Sequence, residues 1–407
     1  MLTPKKTAYR ARSAKVETGF TSDRALKYRK SASSYRQTAY PRIKSGACRG
    51  SGPRHALADH ALSSGGRVIH RLAAECQLEF RFSRQTIAAT TEFAFAVAAP
   101  LELGEIEVAE TALHDVFIDD ITFPATDGYL LGASLYLPRG ARRNAVLINS
   151  ATAVPRKIYK GFASYLASRG CAVLTYDYRG IGDSRQKSLI GYNQPRSLVG
   201  FPASMSEWAA RDVTAAVAWM RERYKDLPLN YVGHSFGGQA LGLLPSNAEI
   251  SRALLIAAQA AYWGLMTAPE RYRVYLMLNF IGTPLTRLMG YAPGWSGIGE
   301  DLPKGVFLQW VRWVMSKRYL FDDPELPALA NFRNYRGALR AVCLADDPWA
   351  TPRAIELLCS GFTSTTPDIA TIAPADAGVV KIGHLGFFRP EHRDTLWRGA
   401  AEWLQTG

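Results

Sequence analysis

A serine set between glycines is the residue from which chemistry can start in this chain. Gly233-His234-Ser235-Phe236-Gly237 closes a short apolar run and opens a small-residue helical pattern through Ala240, Leu241, Leu243 and Leu244. A sharp strand-to-helix turn of this kind forces its central residue into a strained backbone conformation, and a side chain at 233 or 237 would strike the neighbouring strand or helix. The Ser235 hydroxyl would then stand at a helix N-terminus, where the backbone N–H of Phe236 can face a developing oxyanion. A serine hydroxyl is barely nucleophilic near neutral pH. An imidazole must take its proton, and a buried carboxylate must hold that imidazole in the right tautomer. His384 is the candidate base, and Asp346 and Asp347 are the candidate acids. Both positions lie just past apolar runs, at 340–345 and 379–382, and Ser, Asp, His is one of the chain orders in which this chemistry occurs. His234 and His392 are alternative bases. His234 lies inside the turn and should point away from Ser235, while His392 sits on a charged helical stretch expected at the surface.

Three such residues, far apart in sequence, must be brought together by a sheet. Residues 120–125 and 131–137 flank Thr126-Asp127-Gly128 and read as a β-hairpin. Residues 145–150 and 171–176 read as buried strands, with a helix between them whose inner face carries Tyr159, Phe162, Ala163, Tyr165 and Leu166. Strand, helix and strand in this order imply a parallel sheet with right-handed crossovers. An amphipathic helix over 206–224, the strand before Ser235, and strands over 253–258, 340–345 and 379–382 continue it. From 262 to 327 the rhythm breaks into a stretch rich in Trp, Tyr, Leu and Met and punctuated by Pro284, Pro293 and Pro303.

Asp177-Tyr178-Arg179-Gly180-Ile181-Gly182-Asp183-Ser184, followed further on by Gly-His-Ser-Phe-Gly-Gly, resembles the α/β hydrolases, in particular their serine-aminopeptidase/monoacylglycerol-lipase-like branch. The chain is more closely similar to a group of largely uncharacterised predicted α/β hydrolases. The segments that carry this are Gly290-Tyr291-Ala292-Pro293, Gly299-Glu300-Asp301-Leu302-Pro303-Lys304-Gly305-Val306 with Gln309, Trp310, Arg312 and Trp313, and Ile382-Gly383-His384-Leu385-Gly386-Phe387-Phe388-Arg389. The resemblance covers residues 115–407.

It implies an α/β fold with a mostly parallel sheet of the eight-stranded type, flanked by helices. The core would comprise 116–261 and 328–407, with 262–327 as a helical lid insertion whose aromatics partly line an apolar acyl or aryl pocket. It implies a serine hydrolase acting through an acyl-enzyme on an ester or related acyl bond of a small, apolar substrate. An acyltransferase or thioesterase with the same triad is the alternative, and a non-catalytic ligand-binding protein of this fold is a third reading. Family members often show an Asp-x-x-x-Pro turn, and Asp347-Pro348-Trp349-Ala350-Thr351-Pro352 comes closer to that length than the run from Asp346. Asp347 is therefore the expected acid, and Asp346 is left to cap the helix near Pro352. The second oxyanion donor is expected from the loop after the first parallel strand. Many relatives read His-Gly there, and this chain reads Asn149-Ser150-Ala151-Thr152-Ala153. The Ala151 N–H is the expected donor, with Thr152 as the alternative. No Asp replaces the serine, which argues against the epoxide-hydrolase and haloalkane-dehalogenase branches.

Composition bounds the rest. The chain has 407 residues, 47% of them hydrophobic, enough for one large domain with a sizeable core. Its net charge of +14 is concentrated in residues 1–60, where fourteen Lys and Arg face only Glu17, Asp23 and Asp59. Residues 1–85 read as a basic, disordered arm and 86–115 as a lead-in. A solvated tail is favoured there over an organelle presequence or a nucleic-acid arm, because no folded binding motif accompanies the charge. No secretory or membrane-spanning segment is read, so a cytoplasmic enzyme with a small-molecule acyl substrate and no nucleic-acid partner is expected. The five cysteines are scattered and form no metal-ligand pattern. No P-loop or dinucleotide fingerprint is present, and Gly180-x-Gly182 reads as a tight turn, so neither a cofactor nor a metal is expected.

Overall fold

The structure, a computed structural model, describes residues 116–185 and 198–406. The basic arm expected over 1–85 and the lead-in over 86–115 lie outside the described residues. β1 (Val116–Pro124) and β2 (Leu130–Pro138) form the expected hairpin. The alternation read in residues 131–137 does not translate into one wet face. β2 pairs on its other side with β4, and Gly132, Ser134 and Tyr136 are buried along with Leu131, Ala133 and Leu135.

β3 (Asn144–Asn149) is buried at every position, as its unbroken apolar run requires of a strand covered on both faces. α1 (Lys160–Ser168) crosses over to β4 (Cys171–Tyr176), and Phe162, Ala163, Tyr165 and Leu166 are its inward residues. The next crossover is one helical run made of Met205–Glu207, a π-helical turn at Trp208–Val213, and α2 (Thr214–Arg223). Trp208, Val213, Val217 and Met220 are buried, as the apolar spacing predicts, and so is Asp212. β5 (Leu229–His234) leads through Ser235 into α3 (Phe236–Leu243), and β6 (Arg252–Ile256) follows.

Between β6 and the next sheet strand the chain forms α4 (Glu270–Leu276), a π-turn at Met277–Gly282, and α5 (Thr283–Met289). Two short strands, β7 (Tyr291–Ala292) and β8 (Leu302–Pro303), pair antiparallel before α6 (Lys304–Met315). The Gly299-Glu300-Asp301 segment ties this region to the loops that follow β3 and β4. Glu300 N–H donates to Ala153 O at 3.0 Å, and Glu300 Oε2 accepts from Gly182 N–H at 2.9 Å.

β9 (Ala338–Leu344), α7 (Pro352–Cys359), β10 (Asp368–Ile372) and α8 (Arg398–Gln405) complete the core. The eight strands run in the order β1-β2-β4-β3-β5-β6-β9-β10. β2 is antiparallel to both of its neighbours, and all pairs from β4 to β10 are parallel. This is the architecture that the resemblance implies. One strand expectation fails. The last strand is not at 379–382 but at Asp368–Ile372, parallel to β9. A 3₁₀ turn at Pro374–Ala377 and Gly378 at φ 69° carry the chain out of the sheet, and Val380 is 99% exposed. β10 is an edge strand with Asp368, Ile369 and Thr371 exposed, so it lacks the apolar run of a central strand. Among the described residues no helix is long and apolar enough to cross a membrane.

Candidate active site

Ser235 is held between β5 and α3 at φ 51° and ψ −114°, a conformation costly for any side-chain-bearing residue. Its N–H donates to Ile256 O at 3.0 Å, and its carbonyl accepts from Gly238 N–H at 3.0 Å. The glycines have the reason the sequence suggests. A Cβ on Gly233 would lie 2.5 Å from Gly238 Cα, and one on Gly237 would lie 2.2 Å from Asn149 O on β3. Phe236 is buried against Tyr178 and Trp208. Its N–H, at the first turn of α3, has no hydrogen-bond partner among the described residues.

Asp347 and His384 come together. Asp347 Oδ2 lies 2.6 Å from His384 Nδ1, and Asp347 Oδ1 accepts from Trp349 N–H at 2.8 Å. The carboxylate is fully buried and the imidazole is partly open, with side-chain exposures of 0% and 22%. Burial pushes the Asp347 carboxyl up, but the His384 charge, its hydrogen bond and the N–H groups of Trp349 and Ala350 outweigh it and hold it below the usual carboxylate range. With Nδ1–H committed to Asp347, His384 Nε2 is the nitrogen left to take a proton. Among the described residues Ser235 Oγ makes no hydrogen bond to the His384 ring. Such contacts commonly tighten only once substrate is bound.

Asp346 does not cap α7, which begins at Thr351 and Pro352 with no side-chain cap. Its carboxylate instead accepts Ile382 N–H at 2.8 Å and Gly383 N–H at 2.9 Å. The two adjacent aspartates thus divide the labour, one holding the His384 ring and the other the backbone that carries it. Asp346→Ala leaves both N–H groups without their acceptor, and we expect urea denaturation to show stability lower by about 1–3 kcal/mol. Unchanged stability would mean that solvent replaces the carboxylate freely.

The oxyanion loop also differs from expectation. The Ala151 N–H is occupied, donating to Tyr159 Oη at 2.9 Å. The Thr152 N–H, the alternative, has no partner among the described residues. His234 is fully buried, and both of its ring nitrogens are engaged elsewhere. Its Nδ1 meets Tyr159 Oη and its Nε2 meets His384 O, both at 2.9 Å. Burial, with the nearby His384, lowers its pKa to about 3, so it is neutral at working pH and unsuited to be the base. His392 is not a surface residue. The 3₁₀ turn Pro390–His392 folds it inward to 0% exposure, and neither ring nitrogen has a hydrogen-bond partner among the described residues.

Sequence reasoning did not single out Tyr159, Trp349 or Glu270 as site residues. The Trp349 ring stacks on Trp310 at 6.1 Å and 16°, and lies 6.2 Å from the His384 ring. Its Nε1–H donates to Glu270 Oε1 on α4 at 2.6 Å, and Glu270 is paired in turn with Arg273. Closeness to Asp347 in the chain was a usable signal for Trp349. Glu270 carried none, because its partner is 79 residues away.

The Asp-x-Arg-Gly-x-Gly-x-Ser stretch is a structural brace. Asp177 accepts from Arg156 N–H at 2.6 Å, and Ser184 Oγ donates to Asp177 O at 2.7 Å. Arg179 bridges Asp212 at 2.6 Å and Asp127 at 2.7 Å. Burial raises the Asp212 carboxyl to about 6 despite that partner. Gly180 and Gly182 have positive φ, 81° and 47°, consistent with the tight turn expected. No three His, Cys, Asp or Glu side chains converge as metal ligands would, among the described residues.

Residues 145–393, more than half of the chain, match the model of a family described as the alpha/beta hydrolase family. No curated protein matches the chain. Similar solved structures include a highly thermostable carboxyl esterase from Bacillus coagulans, 14% identical with a TM-score of 0.48, over 70% of this chain and 97% of that one. An esterase from Exiguobacterium antarcticum is 13% identical with a TM-score of 0.45, over 71% of this chain and 100% of that one. A hypothetical protein from Pseudomonas aeruginosa is 16% identical with a TM-score of 0.48, over 71% of this chain and 94% of that one.

Proposed function

The chain belongs to the alpha/beta hydrolase family, and from that premise we propose that it is a serine hydrolase of esters or related acyl compounds. The observation that carries the reading is the 2.6 Å contact between the buried Asp347 and His384 Nδ1, beside a serine held at φ 51°. In this mechanism His384 Nε2 takes the Ser235 proton as Oγ attacks the acyl carbonyl carbon. The oxyanion is received by the N–H groups of Phe236 and Thr152, which carry no other hydrogen bond among the described residues. The tetrahedral intermediate collapses to an acyl-enzyme as His384 gives the proton to the leaving group. A water then attacks, with His384 again the base, and Ser235 is restored.

The region 262–327 acts as a lid in this reading. What supports it is the hydrogen bond from Trp349, two residues past the acid, to Glu270 at the start of α4. The Trp310–Trp349 pair near His384 favours an apolar acyl or aryl group over a charged one. The test is reaction with a fluorophosphonate, followed by peptide mapping and by assay on p-nitrophenyl esters of rising chain length. One covalent adduct on Ser235, formed in step with loss of ester hydrolysis, is expected. Absence of labelling, or an adduct on another serine, would overturn the assignment.

A further inference from the structure

We propose that Tyr159 and His234 are positioning residues that tie the base and the oxyanion loop of the site to the nucleophile through one directed chain of hydrogen bonds. The inference rests on the serine-hydrolase reading above.

The direction of the chain follows from donors and acceptors alone. The Ala151 N–H can only donate, so Tyr159 Oη accepts from it at 2.9 Å. The Tyr159 hydroxyl proton then turns to its other partner, His234 Nδ1 at 2.9 Å, which must accept. A neutral imidazole that accepts at Nδ1 carries its proton on Nε2. That proton meets the carbonyl oxygen of His384 at 2.9 Å, which can only accept. Every group in the run is satisfied in one direction and in one tautomer. Both side chains are completely buried, and Phe388 packs on both, with ring centroids 4.7 Å from Tyr159 and 4.9 Å from His234. Neither member is exposed to solvent, so the hydrogen bonds are made between protein groups in a low-dielectric surrounding.

The chain joins the parts whose mutual spacing decides the chemistry. One end is the residue before Thr152, the open donor of the oxyanion loop. The middle, His234, is covalently bonded to Ser235. The other end is the main chain of His384 itself. His384 is thereby fixed at three points: its ring by Asp347, the preceding N–H by Asp346, and its carbonyl by the neighbour of the nucleophile. A core histidine packed for volume alone would need none of these partners in this order.

The experiment is a double-mutant cycle in the full-length chain, read as kcat and KM on one p-nitrophenyl ester, with melting temperatures and the rate of fluorophosphonate labelling. Tyr159→Phe keeps the ring and removes the hydroxyl. His234→Leu removes the second link, and His234→Gln offers an amide that can still donate to the His384 carbonyl. We expect Tyr159→Phe and His234→Leu each to lower kcat by about tenfold or more with KM changed by less than about threefold, because misplacement of catalytic groups costs rate and not ground-state affinity. The double variant should be no slower than the worse single one, and His234→Gln should recover part of the rate lost in His234→Leu. Ser235 should still be labelled in every variant, but more slowly.

A wild-type chain that fails to label at Ser235 sinks the hydrolase reading itself. A labelled wild type with Tyr159→Phe within about twofold in kcat leaves that reading standing and overturns the chain. Losses that multiply in the double variant, or that fall on KM, also overturn it. If His234→Leu does not fold, the decision passes to Tyr159→Phe, His234→Gln and their double variant, with the same criteria.

Discussion

Ser235→Ala should lower kcat for ester hydrolysis by on the order of 10⁵- to 10⁶-fold and abolish fluorophosphonate labelling, while the melting temperature stays where it was. The size follows from what remains. Without Oγ no acyl-enzyme forms, and only binding and the oxyanion donors are left to act on water. The unchanged stability follows from the local structure. Ser235 Oγ makes no hydrogen bond among the described residues, and alanine meets the same strained φ of 51° that serine already bears. The measurement is steady-state kinetics beside thermal unfolding followed by circular dichroism. An alanine variant with activity within tenfold of wild type would place the nucleophile elsewhere.

The second large effect is at the acid. Asp347→Asn should cost about 10⁴-fold in kcat with the fold intact. The amide oxygen can still accept from Trp349 N–H, as Oδ1 does at 2.8 Å, so the turn keeps its shape. The amide nitrogen then replaces Oδ2 and donates to His384 Nδ1, which pushes the imidazole proton onto Nε2, where it can no longer accept from serine. Asp346→Asn behaves differently, because an amide oxygen can keep one of the bonds to Ile382 and Gly383 and the His384 ring keeps its carboxylate. Its cost in kcat should be about tenfold, through a looser histidine turn. Activity lost at Asp346 and kept at Asp347 would reverse the assignment. Activity kept in both would remove the acid from this turn altogether.

The parts of this site that could be read from the sequence are those whose causes are local. The elbow glycines meet atoms of the same turn or of the adjacent strand, so their spacing around Ser235 carries the whole argument. The central strands announce themselves because both faces are buried, as in β3 and β4. β10 does not, because an edge strand needs few apolar residues, and Val379-Val380-Lys381-Ile382 looked more like a strand than the real one. His392 sits among Arg389, Glu391 and Arg393, and only the turn at Pro390–His392 takes it inside. The contacts of Tyr159 with His234, and of His234 with His384, span 75 and 150 residues. No periodicity or spacing encodes a pairing at that range. The hydroxyl that takes the Ala151 N–H was hidden for the same reason. Ala151 and Thr152 were equivalent as backbone donors until one of them acquired a partner.

The strand order has a consequence for the chain while it is being made. β3, β4, β5 and β6 precede residue 260, so the elbow has its neighbouring strands on both sides as soon as β6 exists. The carboxylate follows β9, and the imidazole follows β10. At ribosomal rates the interval between Ser235 and His384 is roughly ten to thirty seconds. For that time the serine stands on its turn with no proton acceptor and no Asp346 to hold one in place. On the serine-hydrolase reading, a nascent chain in that state has its nucleophile seated but neither its acid nor its base, which are added only after β9 and β10 have followed β6.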